Sequence, residues 1–215
     1  MQDKILKLRK EYTREALDEN QIKSNPFDQF KYWMEEAIQA EIMEPNAMVL
    51  ATVHQNRPSS RVVLLRDVRT DGFTFYTNYL SKKGIELQHN PFAALNFFWP
   101  ELERQVRIEG KVEKLPESES KDYFALRPRG SQIGAWASPQ SQIIEKREDL
   151  EKLVKQYEQQ FENRDVSLPP HWGGYILKAD YFEFWQGRES RLHDRIFFQI
   201  KDQGKNIWDK GRLAP

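Results

Sequence analysis

AMVLATVHQNRPSSRVVLLRDVRTDGFTFYTN, residues 47–78, carries the pattern that decides the fold class. Three short runs rich in β-branched or aromatic residues, AMVLATV, RVVLLRDV and FTFYT, are separated by the turn signals QNRP and TDG. Further along, AALNFFW at 93–99, the alternating run Gln105–Val112, GGYILKADYFEFW at 173–185 and RIFFQI at 195–200 continue the series. Short strands at this spacing predict an antiparallel barrel. They do not alternate regularly with helices, which argues against a doubly wound parallel sheet. The chain thus reads as mainly β with flanking helices, an α+β domain spanning 1–215.

The flanking helices have their own signals. Ser24-Asn25-Pro26 offers a cap followed by a first-turn proline. Phe27, Phe30, Met34, Ala37 and Ile38 then recur at helical spacing. Ile5, Leu8 and Tyr12 form a weaker helical face before them, so 1–45 reads as an N-terminal helical segment. Inserted helices are expected at about 117–126, ended by Pro128, and at about 140–161, capped by Ser138-Pro139. LPPHWGG at 168–174 reads as a loop within the domain.

Composition narrows the function classes. Lys+Arg and Asp+Glu both number 33, so the formal net charge is zero. Polynucleotide binders usually carry a basic excess, because phosphate neutralisation supplies much of their affinity. No nucleic-acid partner is therefore expected, and zero net charge suits self-association. There are no cysteines, so disulfides and thiolate metal sites are excluded. The four histidines lack metal-ligand spacing, and no Rossmann, P-loop or GxSxG motif occurs. No apolar stretch has the length of a membrane span, and the mixed-charge N-terminus is unlike a signal peptide, so a cytoplasmic protein is expected.

Four constellations remain. Arg61 and Arg66 bracket VVLL, and FYTNYLSKKG follows, so Arg61, Thr77, Ser81, Lys82 and Lys83 can approach one anion. Ser81 can also cap the helix KKGIELQ and aim its positive end there. A solvated strand edge would show the same residues. Tyr123 and Arg127, four apart on a helix, with Ser131 after a sharp turn, form a donor set for a phosphate monoester, or a structural pair. In SQIGAWASPQSQ, Gln140 and Ser141 fall in a helix's first turn and can hold a polar ligand edge, or simply follow a cap. In EFWQGRESRLHDR, Arg191, His193 and Arg195 share a face if the segment is extended, beside Trp185. Three basic side chains on one face call for an anionic or electron-rich partner.

Taken in order, RVVLLR, FYTNYLSKKG, LERQVRIEG, YFALRPRGSQIGAW, FWQGRESRLHDR and RLAP resemble the pyridoxamine 5′-phosphate oxidase family, flavoproteins built on a split β-barrel. The likeness runs from RKEY near the N-terminus to the terminal RLAP. It implies a cytoplasmic homodimer that binds FMN and uses O2 to oxidise pyridoxamine or pyridoxine 5′-phosphate to pyridoxal 5′-phosphate with release of H2O2. The alternatives are a flavin or NAD(P)H reductase of the same barrel, or a non-enzymatic flavin or pyridoxal-phosphate carrier. The resemblance assigns FMN contacts to Arg61, Val62, Val63, Leu64, Leu65, Tyr76, Thr77, Lys82 and Lys83. Gln105, Gln140, Ser141, Trp185 and Arg195 add to these, some from the partner subunit. Substrate phosphate would meet Arg66, which also borders the cofactor, with Tyr123, Arg127 and Ser131. Arg191 and His193 would face the pyridine ring as the catalytic pair, with Arg9 and Tyr12 closing the site. The chain departs from the family at Arg66, where lysine is usual, and at Glu44, where an aspartate is common.

Overall fold

The computed structural model describes Ile5 and residues 11–215. Its strands are β1 (Ala47–His54), β2 (Arg57–Leu64), β3 (Asp67–Val68), β4 (Gly72–Asn78), β5 (Phe92–Trp99), β6 (Arg104–Lys114), β7 (Trp172–Gln186), β8 (Asp194–Asp202) and β9 (Ile207–Arg212). Among the described residues they form one sheet in the order β2-β1-β5-β6-β7-β4-β3, with β8 on β7 and β9 on β8. The β3–β4, β4–β7, β7–β8 and β8–β9 pairs are antiparallel. The helices are α1 (Pro26–Gln39), α2 (Lys82–His89), α3 (Glu117–Ala125), α4 (Arg129–Ala137) and α5 (Arg147–Gln160).

The expected strands are present, and their limits follow local chemistry. Gln55 and Asn56 both take positive φ, 48° and 60°, which suits the two-residue turn between β1 and β2. β2 begins before the RVVLLRDV run, at Arg57, and tolerates Pro58 because it ends the strand order. Strand β9 has no alternating pattern of its own; it pairs with β8 from Ile196↔Arg212 to Asp202↔Ile207.

By packing, the chain divides into two compact units. One comprises 1–50, 94–110 and 179–215, the other 51–93 and 111–178. In the first, Asn25 Oδ1 accepts from Phe27 N at 2.8 Å and starts α1. Its buried face is Phe27, Phe30, Trp33 and Ala37. Met34 is only half-buried and Ile38 is exposed, contrary to the spacing, because Trp33 takes the inward position and packs edge-on against Phe184 at 5.3 Å. The weak N-terminal face does not continue as a helix either: Tyr12 lies in irregular chain. Leu8 lies outside the described residues. Glu44 is exposed in the turn before β1, where its carbonyl accepts from Ala47 N at 2.8 Å.

In the second unit the core gathers Phe124, Ile133, Phe161, Val166 and Trp172. Here the expected helix 140–161 starts later, as α5 at Arg147, and a separate helix, α4, precedes it, with irregular chain at 138–146 between them. Ser138 closes α4 rather than opening a helix, since its N–H donates to Gly134 O at 3.0 Å. The physical reason is burial: Ile133 and Ala137 lie one helical turn apart and both are buried, so the chain is already helical when it reaches Ser138.

Candidate active site

In the second unit, β2, β4, the start of α2 and the end of α3 converge on an open cleft of about 470 Å³. From β2 and its end come Arg61, Val62, Val63, Leu64 and Arg66, and from β4 come Tyr76, Thr77 and Asn78. Lys83, Tyr123, Arg127, Gln140 and Trp172 complete the lining.

Each is held by local structure. Ser81 Oγ accepts from Gly84 N at 3.3 Å, the cap expected from the sequence, so α2 starts beside the cleft. Lys83 Nζ donates to Gln140 Oε1 at 3.0 Å and to Thr77 Oγ1 and Ser81 Oγ at 3.3 Å, all neutral acceptors. Burial, with the Arg61 charge adding to it, pushes Lys83 down to about 8. Arg61 donates to Thr52 Oγ1 at 2.5 Å, to Ser59 Oγ, and to the buried Glu86 carboxylate at 3.0 Å.

Part of the lining is aromatic. Tyr76 stacks on Tyr123 at 3.9 Å and on Trp172 at 5.4 Å. This stack needs Gly174, opposite Tyr76 in the β4–β7 register, because a Cβ there would meet the Tyr76 ring at 2.8 Å. The last turn of α3 stays near-helical, and Arg127 N donates to Phe124 O at 3.1 Å, so Arg127 reaches the same cleft as Tyr123. Its guanidinium carbon lies 4.6 Å from the Trp172 ring centre. Arg127 Nη1 is buried without a hydrogen-bond partner. Burial foremost, with Arg66 nearby, disfavours the Arg127 charge. Arg66 Cζ lies 5.8 Å from the Tyr123 ring, and among the described residues no carboxylate pairs with Arg66 or Arg127. Cations gathered this way, one with an orphaned buried donor, suit an anionic ligand.

Several expected residues do not line this cleft. Lys82 is exposed, 3.9 Å from Glu86 Oε1. Leu65 is buried beside the cleft rather than in its wall. Ser131 is exposed in the first turn of α4, since a helix rather than a sharp turn follows Pro128. Ser141 sits exposed in a turn at φ 71°, and Gln140 reaches the cleft from that turn, not from a helix start. Asn78 and Trp172 also line the cleft, without a local motif that marks them; Trp172 sits in LPPHWGG, whose prolines and glycines give it the pattern of a loop.

Gln105, Trp185, Arg191, His193, Arg195 and Tyr12 belong to the first unit. The stretch around Arg191 is not extended: Glu189–Arg191 forms a 3₁₀ turn, with Ser190 and Arg191 at φ 53° and 61°. The period-two argument for a shared face therefore fails at Arg191, which is exposed. Non-glycine residues held in this left-handed region cluster at functional sites. His193 Nδ1 accepts from Arg188 N at 3.1 Å, so in this geometry the neutral ring carries its proton on Nε2. Burial, then the Arg191 charge, lowers the His193 pKa from its ordinary value. The His193 ring lies 4.6 Å from Trp185 and 5.8 Å from Tyr12. Tyr12 seats over Gly187, where a Cβ would come within 2.7 Å of its ring. Arg195 is not an unpaired cation: Nε and Nη2 donate to the buried Glu183 carboxylate at 2.8 and 2.9 Å. Gln105 lies half-buried on the β6 face that also carries Arg107 and Glu109. Arg9 lies outside the described residues.

Comparison with known proteins identifies the family and the fold. Residues 34–161 match the family model described as pyridoxamine 5′-phosphate oxidase. Residues 172–215 match the pyridoxine 5′-phosphate oxidase C-terminal dimerisation region. The chain is 53% identical over 215 residues to a pyridoxine/pyridoxamine 5′-phosphate oxidase of Acaryochloris marina, covering 100% of this chain and 97% of that one. It is 52% identical over 216 residues to the protein of the same name from Leptospira interrogans, with 100% of both covered. Among solved structures, PhzG from Burkholderia lata in complex with tetrahydrophenazine-1-carboxylic acid superposes with a TM-score of 0.86 at 29% identity, covering 94% of this chain and 100% of that one. A pyridoxamine 5′-phosphate oxidase-related, FMN-binding protein from Nostoc punctiforme shares the fold, with a TM-score of 0.68 at 16% identity over 86% of this chain and 97% of that one.

Proposed function

Because this chain belongs to the pyridoxamine 5′-phosphate oxidase family, an oxidoreductase family on the split-barrel fold, we propose that it binds FMN and uses O2 to oxidise pyridoxamine or pyridoxine 5′-phosphate to pyridoxal 5′-phosphate, releasing H2O2. The observation that carries this reading is the cleft in which Arg61, Arg66, Lys83 and Arg127 gather, with an orphaned buried donor on Arg127. FMN suits it: the cleft has the size of a small-molecule site, aromatic lining and cationic donors for a phosphate. When bound, FMN supplies the two-electron chemistry, while the protein supplies orientation and electrostatics.

In this proposal Arg61, Lys83, Thr77 and Gln140 hold the cofactor phosphate. Arg66, Tyr123 and Arg127 clamp the substrate phosphate, turning binding energy into alignment of the reacting carbon. Gln105, Trp185, Arg195 and the catalytic pair Arg191 and His193 complete the site at a homodimer interface. His193 acts there as a hydrogen-bond donor through Nε2, since Nδ1 is already used as an acceptor. Arg191 offers a planar cation to an electron-rich ring.

The test is an absorbance spectrum of the purified protein before and after anaerobic addition of pyridoxamine 5′-phosphate. A yellow protein with about one FMN per chain, bleached by that substrate and recoloured by O2, is expected. Bleaching by NAD(P)H alone would place the chain with reductases of this fold. No bleaching by either would make it a carrier.

A further inference from the structure

We infer that Glu86 is a positioning residue: its carboxylate fixes the Arg61 guanidinium in the orientation that receives the cofactor phosphate, an inference that rests on the FMN reading above. Glu86 is 5% exposed, on the buried face of α2. Its Oε2 accepts from Thr52 Oγ1 at 2.6 Å, from Ser59 Oγ at 2.6 Å and from Arg61 Nη2 at 3.0 Å. These donors come from β1 and β2, so one carboxylate ties two strands to the helix that carries Lys83. A buried carboxylate is costly unless paired and hydrogen-bonded, and an apolar side chain could fill the position at no such cost. Here the hydroxyls and Arg61 hold Glu86 below the usual carboxylate range despite its burial. With Thr52 Oγ1 receiving Nη1 at 2.5 Å and Glu86 receiving Nη2, rotation of the guanidinium is blocked. Glu86 also offsets the repulsion between Arg61 and Lys83, which Arg61 pushes toward the neutral amine and Glu86 toward the charged one. Two cations can thus stand together facing the cleft before any anion arrives, which lowers the reorganisation that binding requires.

The experiment titrates apoprotein with FMN and with riboflavin, which lacks the phosphate, following flavin fluorescence. Wild type should bind FMN more tightly than riboflavin. Glu86→Gln should weaken FMN by about tenfold and leave riboflavin within about twofold, as loss of one charge-assisted contact predicts. Glu86→Asp, which keeps the charge, should recover most of the FMN preference. In an Arg61→Ala background, Glu86→Gln should change FMN affinity little, because the residue acts through Arg61. Equal losses for both ligands would mean a structural role and overturn the inference. Tighter FMN binding, as removal of a nearby negative charge alone would give, would also overturn it, as would full additivity with Arg61→Ala. A wild-type protein that binds no FMN, or binds riboflavin equally well, would instead overturn the FMN reading and this inference with it.

Discussion

Arg66 and His193 show how much a single side chain's neighbours decide. Arg66 is exposed at the cleft and Arg127 half-buried within it, and neither has a carboxylate partner among the described residues. Arg66→Ala should therefore raise KM for pyridoxamine 5′-phosphate about tenfold or more, since a charge-assisted contact contributes on the order of 1.5–3 kcal/mol. FMN affinity should barely change, and Arg66→Lys should keep most activity. Steady-state kinetics beside an FMN titration checks this; loss of FMN in Arg66→Ala would return that side chain to the cofactor. At His193, protonating Nδ1 would break the bond from Arg188 N, and burial works in the same direction. Its folded pKa lies below the ordinary 6.5, so the folded state binds fewer protons than the unfolded chain near that pH. The stability it contributes is present above about 6.5 and is lost as pH falls through the folded value. Ring-proton NMR should find the midpoint below 6.5, and the acid loss of stability should shrink in His193→Asn. A midpoint above 6.5 contradicts the assignment of Nδ1 as acceptor.

Pairing between strands, rather than any one strand, shapes the cleft wall. Gly174 faces Tyr76 across β4 and β7, and a Cβ there would lie 2.6 Å from Leu115 Cδ1 and 2.8 Å from the Tyr76 ring. Gly174→Ala should cost about 1–3 kcal/mol, read by urea unfolding, and should weaken FMN by displacing Tyr76. Gly134, inside α4, has open space around its would-be Cβ. Gly134→Ala should be neutral or stabilise by up to about 1 kcal/mol, with FMN binding unchanged. Equal effects at both glycines would show that Tyr76 is not constrained by this pairing. Helix boundaries were harder to foresee than strands. Ser138-Pro139 has the residue types of a helix start, yet α4 runs into it, because Ile133 joins the Phe124–Trp172 cluster and Ala137, one turn on, is buried as well. Local capping preference of about 1 kcal/mol yields to burial of that face.

On the scale of the whole molecule, the C-terminal match to a dimerisation region covers 172–215, and the chain carries no net charge. A homodimer is expected in sedimentation at micromolar protein, with flavin co-sedimenting with the dimer. An FMN-loaded monomer that turns over substrate would refute a site completed at the interface.

Patterns of short range were legible from the residues themselves: short β-branched and aromatic strand runs, the Asn25 and Ser81 caps, the Gln55-Asn56 turn, and the basic residues of RVVLLR and FYTNYLSKKG. These depend on neighbours within a few positions, which a sequence displays directly. The fold alone decided which of those basic residues meet. It brought Arg61 to Glu86, 25 positions away, and Lys83 to Gln140, 57 positions away. It turned Lys82 outward, paired Arg195 with Glu183, and curled Arg191 out of an extended strand. Such choices rest on burial and long-range hydrogen bonding, whose energy depends on partners that no local spacing reveals.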